Sequence, residues 1–132
     1  MADTLTFDLV SPERLLISEE VTMVTVPGSE GYFGVMAGHA PVITALRPGV
    51  VEVQPVEGET RRIYVRGGFA ETTGDNLTIL AEEAINLADL DRAELESRLA
   101  HAREDIGLAR DDEERRAAEA NVAQLTQLIA AL

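Results

Sequence analysis

Asn76-Leu77-Thr78-Ile79-Leu80-Ala81-Glu82, followed shortly by Leu90-Asp91-Arg92-Ala93-Glu94-Leu95, contains a change of period, and that change decides the fold. Upstream of it the apolar residues recur in short β-rich runs. Downstream, Leu95, Leu99, Ala102 and Ile106 step by 4, 3 and 4, and Ala118, Val122, Leu125, Ile129 and Leu132 by 4, 3, 4 and 3. The second spacing places one apolar stripe on each of two amphipathic helices.

Working back from the switch, Leu5, Phe7 and Leu9 alternate with Thr4, Thr6 and Asp8, and a β-rich run over Val21–Val26 ends at Pro27-Gly28. Further runs are Val42–Leu46, Val50–Val56, Arg62–Arg66 and Leu77–Ala81. Many are separated by turn residues: Pro48-Gly49, Gly58, Gly67-Gly68 and Gly74-Asp75. Short strands at this spacing predict an antiparallel β-sandwich or barrel over 1–87. The aromatic content is 4% and there is no Trp, so Val, Ile, Leu and Ala must fill the core.

Working forward, Asp91 with Glu94, and Asp111 with Glu114, put a side-chain acceptor at each N-cap and a carboxylate at N3. Gly107 is the expected stop of the first helix. Glu94–Arg98, Asp111–Arg115 and Asp112–Arg116 are spaced as i,i+4 ion pairs, worth about 0.2–0.5 kcal/mol each. The short connection predicts an antiparallel helical hairpin over 88–132. Its seam is small against the entropy of ordering it, which suits a movable element better than an independent domain. The fold class expected is therefore α+β, a sandwich followed by a two-helix hairpin.

Composition excludes several functions. The net charge is −13, and all 11 basic residues are Arg, which argues against a nucleic-acid partner or an anionic membrane surface. There is no cysteine, so disulfides and thiolate metal sites are excluded. Met1-Ala2-Asp3-Thr4-Leu5 has no basic segment leading into an apolar run, which argues against a secretory or transit leader. The longest uncharged stretch, Gly31–Leu46, is too short and too interrupted by Gly and Pro to span a bilayer.

Candidate chemistry is sparse. His39 and His101 are far apart in sequence and lack metal-ligand spacing, and no catalytic partner for His39 is evident, so an interface or structural role outweighs a catalytic one. Gly28-Ser29-Glu30-Gly31-Tyr32-Phe33-Gly34 has the glycines of a phosphate loop, but a Walker loop needs a Lys and this chain has none. Tyr32–Met36 reads extended, where a dinucleotide fingerprint requires a helix. Glu82-Glu83 and Asp111–Glu114 read as solvated or dipole-favoured acids rather than a catalytic dyad. No catalytic residue and no metal site is expected.

Val26-Pro27-Gly28-Ser29-Glu30-Gly31-Tyr32-Phe33-Gly34-Val35-Met36-Ala37-Gly38-His39-Ala40-Pro41 resembles the signature of bacterial F-type ATP synthase ε chains, which runs through spaced glycines into Gly-His-x-Pro. Arg47-Pro48-Gly49, Gly67-Gly68-Phe69-Ala70-Glu71, Asn76–Glu82 and Leu90-Asp91-Arg92-Ala93 follow in the family's order. Ala37 departs from it, standing where the family usually has Pro. The resemblance implies a sandwich of about ten strands and a non-catalytic rotor subunit that joins the γ subunit to the c ring and couples proton transport to ATP synthesis. It implies a peripheral place on the cytoplasmic face of the bacterial inner membrane. It puts the rotor contacts at Ser29, Glu30, Gly31, Gly38, His39 and Pro41, with Glu30 suited to a basic loop of the partner. Two other readings stay open at this point: a stand-alone sandwich adaptor with a helical appendage, and a small enzyme using His39.

In relatives the hairpin can open, contact the α/β catalytic head transiently and inhibit through basic residues of its last helix. Here Ala117–Leu132 carries no Arg or Lys and includes Glu119, so inhibition should be weak. Some relatives also clamp the folded hairpin with ATP at Ile/Leu-Asp-x-x-Arg-Ala. Asp89, Arg92 and Ala93 match that motif, whereas Ala88 replaces its larger apolar residue, and the distal half of the second helix lacks the arginines that would neutralise phosphate. No resident cofactor is therefore expected. Calorimetric titration with MgATP should show no site tighter than roughly 1 mM; a micromolar site abolished by Arg92→Ala is the contrary result.

Overall fold

A computed structural model describes residues 3–132, and the part of the leader reading that falls on Met1 and Ala2 lies outside the described residues. The chain divides after Ala88 into a β unit and a helical unit, Asp89–Leu132. The β unit contains β1 (Leu5–Val10), β2 (Leu15–Gly28), β3 (Gly31–Val35), β4 (His39–Ala45), β5 (Gly49–Pro55), β6 (Arg61–Gly74) and β7 (Asn76–Asn86). A single 3₁₀ turn, Leu87–Asp89, follows β7.

Seven strands stand where about ten were expected. The difference comes from strands that serve two neighbourhoods without a break. The first half of β2 pairs with β1, and its second half with β3 and β5. The first half of β6 pairs with β5 and its second half with β4, while β7 runs beside both. The path β1-β7-β6-β5-β2 closes on itself through the β1–β2 pair. Among the described residues one pairing, β1 with β7, is parallel and the others are antiparallel.

The inward residues follow the alternation read from the sequence. Leu5, Phe7 and Leu9 of β1 meet Val21, Val24 and Val26 of β2, Val51 and Val53 of β5, Ile63 and Val65 of β6, and Leu77 and Ile79 of β7 in one cluster. Phe7 is its one fully buried aromatic. Branched aliphatic side chains suit a pleated surface packed on one face.

At Gly67-Gly68, β6 bends. Gly68 has φ +102°, and a Cβ there would strike the Leu80 carbonyl oxygen of β7. The Leu46 amide donates to the Gly68 carbonyl at 3.0 Å, tying the end of β4 to the bend. Only glycine permits both the backbone angle and the approach.

The helical unit contains α1 (Arg92–Leu108) and α2 (Asp112–Ala131). Both N-caps form as read: Asp91 accepts from the Ala93 amide at 2.9 Å and Asp111 from the Glu114 amide at 2.8 Å. The stop does not. Gly107 lies inside α1, which ends on an extended Ala109 whose amide donates to Ile106. Of the three expected ion pairs only Glu94–Arg98 forms, at 2.7 Å. Asp111 is spent on its cap and lies outside helical geometry, so Arg115 pairs with Asp112 instead, at 3.6 Å. Leu95, Ala102, Leu125 and Leu128 are the buried residues of the pair, and Leu128 was not in the predicted stripe.

The two glycines should respond in opposite directions. Gly68→Ala is expected to lower the unfolding free energy by about 2–4 kcal/mol through backbone strain and clash. Gly107→Ala, helical and facing open space, should raise hairpin stability by up to about 1 kcal/mol. Urea unfolding of both variants measures the contrast; a destabilising Gly107→Ala would show that this glycine is a cap after all.

Candidate binding surface

The expected contact residues fall in two stretches, and β3 and β4 bring them along one side of the β unit. Gly28, Ser29, Glu30, Gly31, Tyr32 and Phe33 face Val42, Ile43 and Thr44 across a shallow groove. Ser29 is held there: its amide and hydroxyl both lie within hydrogen-bond reach of the Thr44 hydroxyl, at 3.3 and 3.2 Å. Glu30 is exposed beside Gly31, whose φ of +127° makes the tight turn.

The second stretch is fixed from beneath. Gly38, at φ +81°, donates its amide to the Gly74 carbonyl and the Asp75 carboxylate, at 3.2 and 3.0 Å. His39 pairs with Gly74 and Val42 with Thr72, so Ala40 and Pro41 bulge opposite Thr73 alone. Proline suits such a bulge because it has no ladder N–H to leave unpaired. Thr72, 1% exposed, ties the bulge down: its hydroxyl donates to the Ala40 carbonyl at 2.8 Å and accepts from the Val42 amide at 2.9 Å. The His39 ring lies 6.1 Å from that of Phe33, so the two stretches meet there.

The residue list read from the sequence was polar, and the structure adds an apolar component to it. Tyr32, Met36 and Ile43 are 60%, 58% and 72% exposed on the same strands and loop. Beyond them a cross-strand row runs Ala45, Phe69, Leu80, Val10, Leu15 over five strands in register. The neighbouring Ala70, Ile79 and Leu9 point into the core, so this row faces outward. The signal for the first group was the uncharged stretch Gly31–Leu46, too long in apolar residues for the burial that one strand pair offers. The row had no signal, because each strand contributes a single member. Large exposed apolar groupings on a folded protein mark contact surfaces.

Asp89, Arg92 and Ala93 lie in the helical unit. Asp89 is exposed at the end of the 3₁₀ turn, and the Ala93 amide is already used by Asp91. Arg92 reaches the Leu132 carbonyl at 3.3 Å, supplying a cation to the end of α2, whose last turn has none of its own. Arg115 and Arg116 lie near the start of α2, ~24 Å along the helix from Leu132 at about 1.5 Å per residue. Arg92 is thus not gathered with Arg115 and Arg116. Among the described residues no His, Asp and Glu cluster suits a metal ion.

Comparison with known proteins bears on the whole chain. The profile described as ATP synthase, Delta/Epsilon chain, beta-sandwich domain matches residues 4–87. The ATP synthase epsilon chain of Parvibaculum lavamentivorans is 52% identical over 128 residues, covering 97% of each chain. The chain belongs to the ATP synthase epsilon-chain family. The family protein of Mesorhizobium japonicum is 48% identical and aligns with 100% of this chain and 98% of its own. A chain in the structure of Euglena gracilis mitochondrial ATP synthase, containing OSCP, F1 and c-ring, superposes with a TM-score of 0.83 at 28% identity, over 97% of this chain and 81% of that one. A chain from the Tetrahymena thermophila central stalk and c-ring shares the fold at a TM-score of 0.60 and 12% identity, over 96% and 95% of the two chains. The relationship spans both units, so the stand-alone adaptor reading gives way to an epsilon-family chain.

One titration in the hairpin is set by geometry. The Arg110 amide, then its guanidinium, bond the Glu114 carboxylate at 2.9 and 3.0 Å and hold it below the ordinary carboxylate range. A depressed carboxyl contributes fully above its unfolded value and loses that contribution as pH falls through its folded one. Thermal melts followed by circular dichroism should therefore show hairpin helicity weakening in acid, with a shallower dependence in Glu114→Gln. Identical acid profiles for the two proteins would refute this assignment.

Proposed function

We propose that this chain is the non-catalytic ε-type rotor subunit of a bacterial F-type ATP synthase. Its β unit joins the γ subunit to the c ring and so couples proton transport to ATP synthesis. The observation that carries this reading is the match of relatives named epsilon chain over 97–100% of the chain, sandwich and hairpin together. The surface supports it. Glu30 and its glycine turns offer an acidic, close-fitting loop to a basic loop of the c ring, while Tyr32, Met36, Ile43 and the row through Phe69 offer apolar area to γ.

No described helix is long and apolar enough to cross a membrane. The assignment is peripheral: the cytoplasmic face of the inner membrane, held by the complex. The hairpin is a weak regulator in this reading, touching the α/β head only transiently. Ala117–Leu132 has no basic residue for charge-assisted contacts there, and Arg92 bonds the Leu132 carbonyl at the end of α2. MgATP binding is accordingly weak or absent.

The test uses the β unit alone against the intact one. A chain ending at Ala88 should co-purify with γ and support proton-coupled synthesis when assembled with the remaining subunits. Phe69→Asp in the full chain should weaken γ binding by roughly tenfold or more, since burying a charge in place of an aromatic costs well over 1.4 kcal/mol. Loss of γ binding on truncation would move the recognition surface into the hairpin.

A further inference from the structure

The bulge that carries His39 also settles which of its ring nitrogens is protonated. Nδ1 lies 2.7 Å from the Ala40 carbonyl oxygen. A carbonyl has no proton to give, so at that distance Nδ1 must be the donor. The same oxygen takes the Thr72 hydroxyl proton at 2.8 Å. That hydroxyl has one proton and spends it there; toward Nδ1, 3.5 Å away, it presents only a lone pair. Both neighbours of Nδ1 are therefore acceptors. In a neutral imidazole this leaves Nε2 as a bare acceptor, and among the described residues no hydrogen bond reaches it.

Thr72 is the one buried polar residue of the described structure, and its neighbours show what it does. Ala40 and Pro41 have no ladder partners of their own opposite Thr73. Without the hydroxyl, the Val42 amide loses its acceptor and the Ala40 carbonyl keeps only the imidazole. The carbonyl would then be free to turn, and the ring with it. Phe33 stands beside the ring, tilted by 40° at 6.1 Å. His39 is half-buried and held at Nδ1.

We propose that Thr72 is a positioning residue that locks His39 in the Nδ1–H form, so that His39 presents Nε2 to the rotor partner as a hydrogen-bond acceptor. The partner atom opposite it is then an N–H or O–H donor. The partner half of this proposal rests on the rotor reading above. The tautomer half rests on the chain alone.

Long-range proton–nitrogen spectra of the full chain, at mildly alkaline pH, read the tautomer directly. The expected spectrum has a protonated Nδ1 and a bare Nε2 for His39, retained in Thr72→Ser. In Thr72→Val the Nε2–H form should gain several-fold in population. A wild-type ring protonated at Nε2 overturns the proposal, as does a Thr72→Val ring unchanged from wild type. Binding to a complex of γ and c ring then tests the partner. His39→Gln, whose amide oxygen can stand in for Nε2, should bind within about threefold of wild type. His39→Asn should lose roughly tenfold, the order of one net hydrogen bond. Equal losses in the two variants would remove the acceptor role. Failure of the wild-type chain to bind that complex would instead defeat the rotor reading and leave the tautomer result standing.

Discussion

Two carbonyl-to-backbone approaches meet at Gly68, and most of the β unit's geometry follows from them. The carbonyl of Leu80 sits where a Cβ would be, and the carbonyl of Gly68 itself receives the Leu46 amide. Together they let β6 turn while it pairs with β7 on both sides of the bend, from Ile63 to Thr73. The first half of β6 then completes the pairing with β5, and the second half is left to carry β4. A strand that ended at the bend would leave β4 without a ladder. The groove, the bulge and the exposed row would lose their common support.

Because β4 hangs from the far half of β6, the loops at both ends of it inherit their positions from that strand. Thr72 pins the His39 end through Ala40 and Val42, and the Leu46–Gly68 bond pins the other. Ser29 is drawn in by Thr44, which lies between the two. Outward members of the β4–β6 register, Ile43 and Ala45 beside Glu71 and Phe69, are exposed, while Ala70 between the latter two and Thr72 next to Glu71 are buried. Strand alternation alone puts a contact surface and its anchor in adjacent residues.

The hairpin is built on different terms. It has few fully buried residues, and its caps and end contacts carry much of its definition. Asp91 and Asp111 satisfy helix starts, Glu114 holds the turn through Arg110, and Arg92 closes the open end on Leu132. These contacts are exposed, individually small and easily exchanged for water.

Local signals in the sequence determined the two-part architecture, the N-caps and the inward alternation, because each depends on neighbours a few residues apart. The spaced glycines and Gly-His-x-Pro were likewise legible as a family resemblance. Their places as turns and bulge follow from φ values and missing N–H groups. The strand count was misjudged, since continuity of β2 and β6 through their bends depends on which strands flank them. Gly107 was misread as a stop because a helix end is decided by the whole last turn, where glycine is tolerated inside at small cost. The row from Ala45 to Leu15 and the Thr72 anchor had no local signature. Each joins residues far apart in the chain, one from each of several strands, and only the register of the folded sheet puts them side by side.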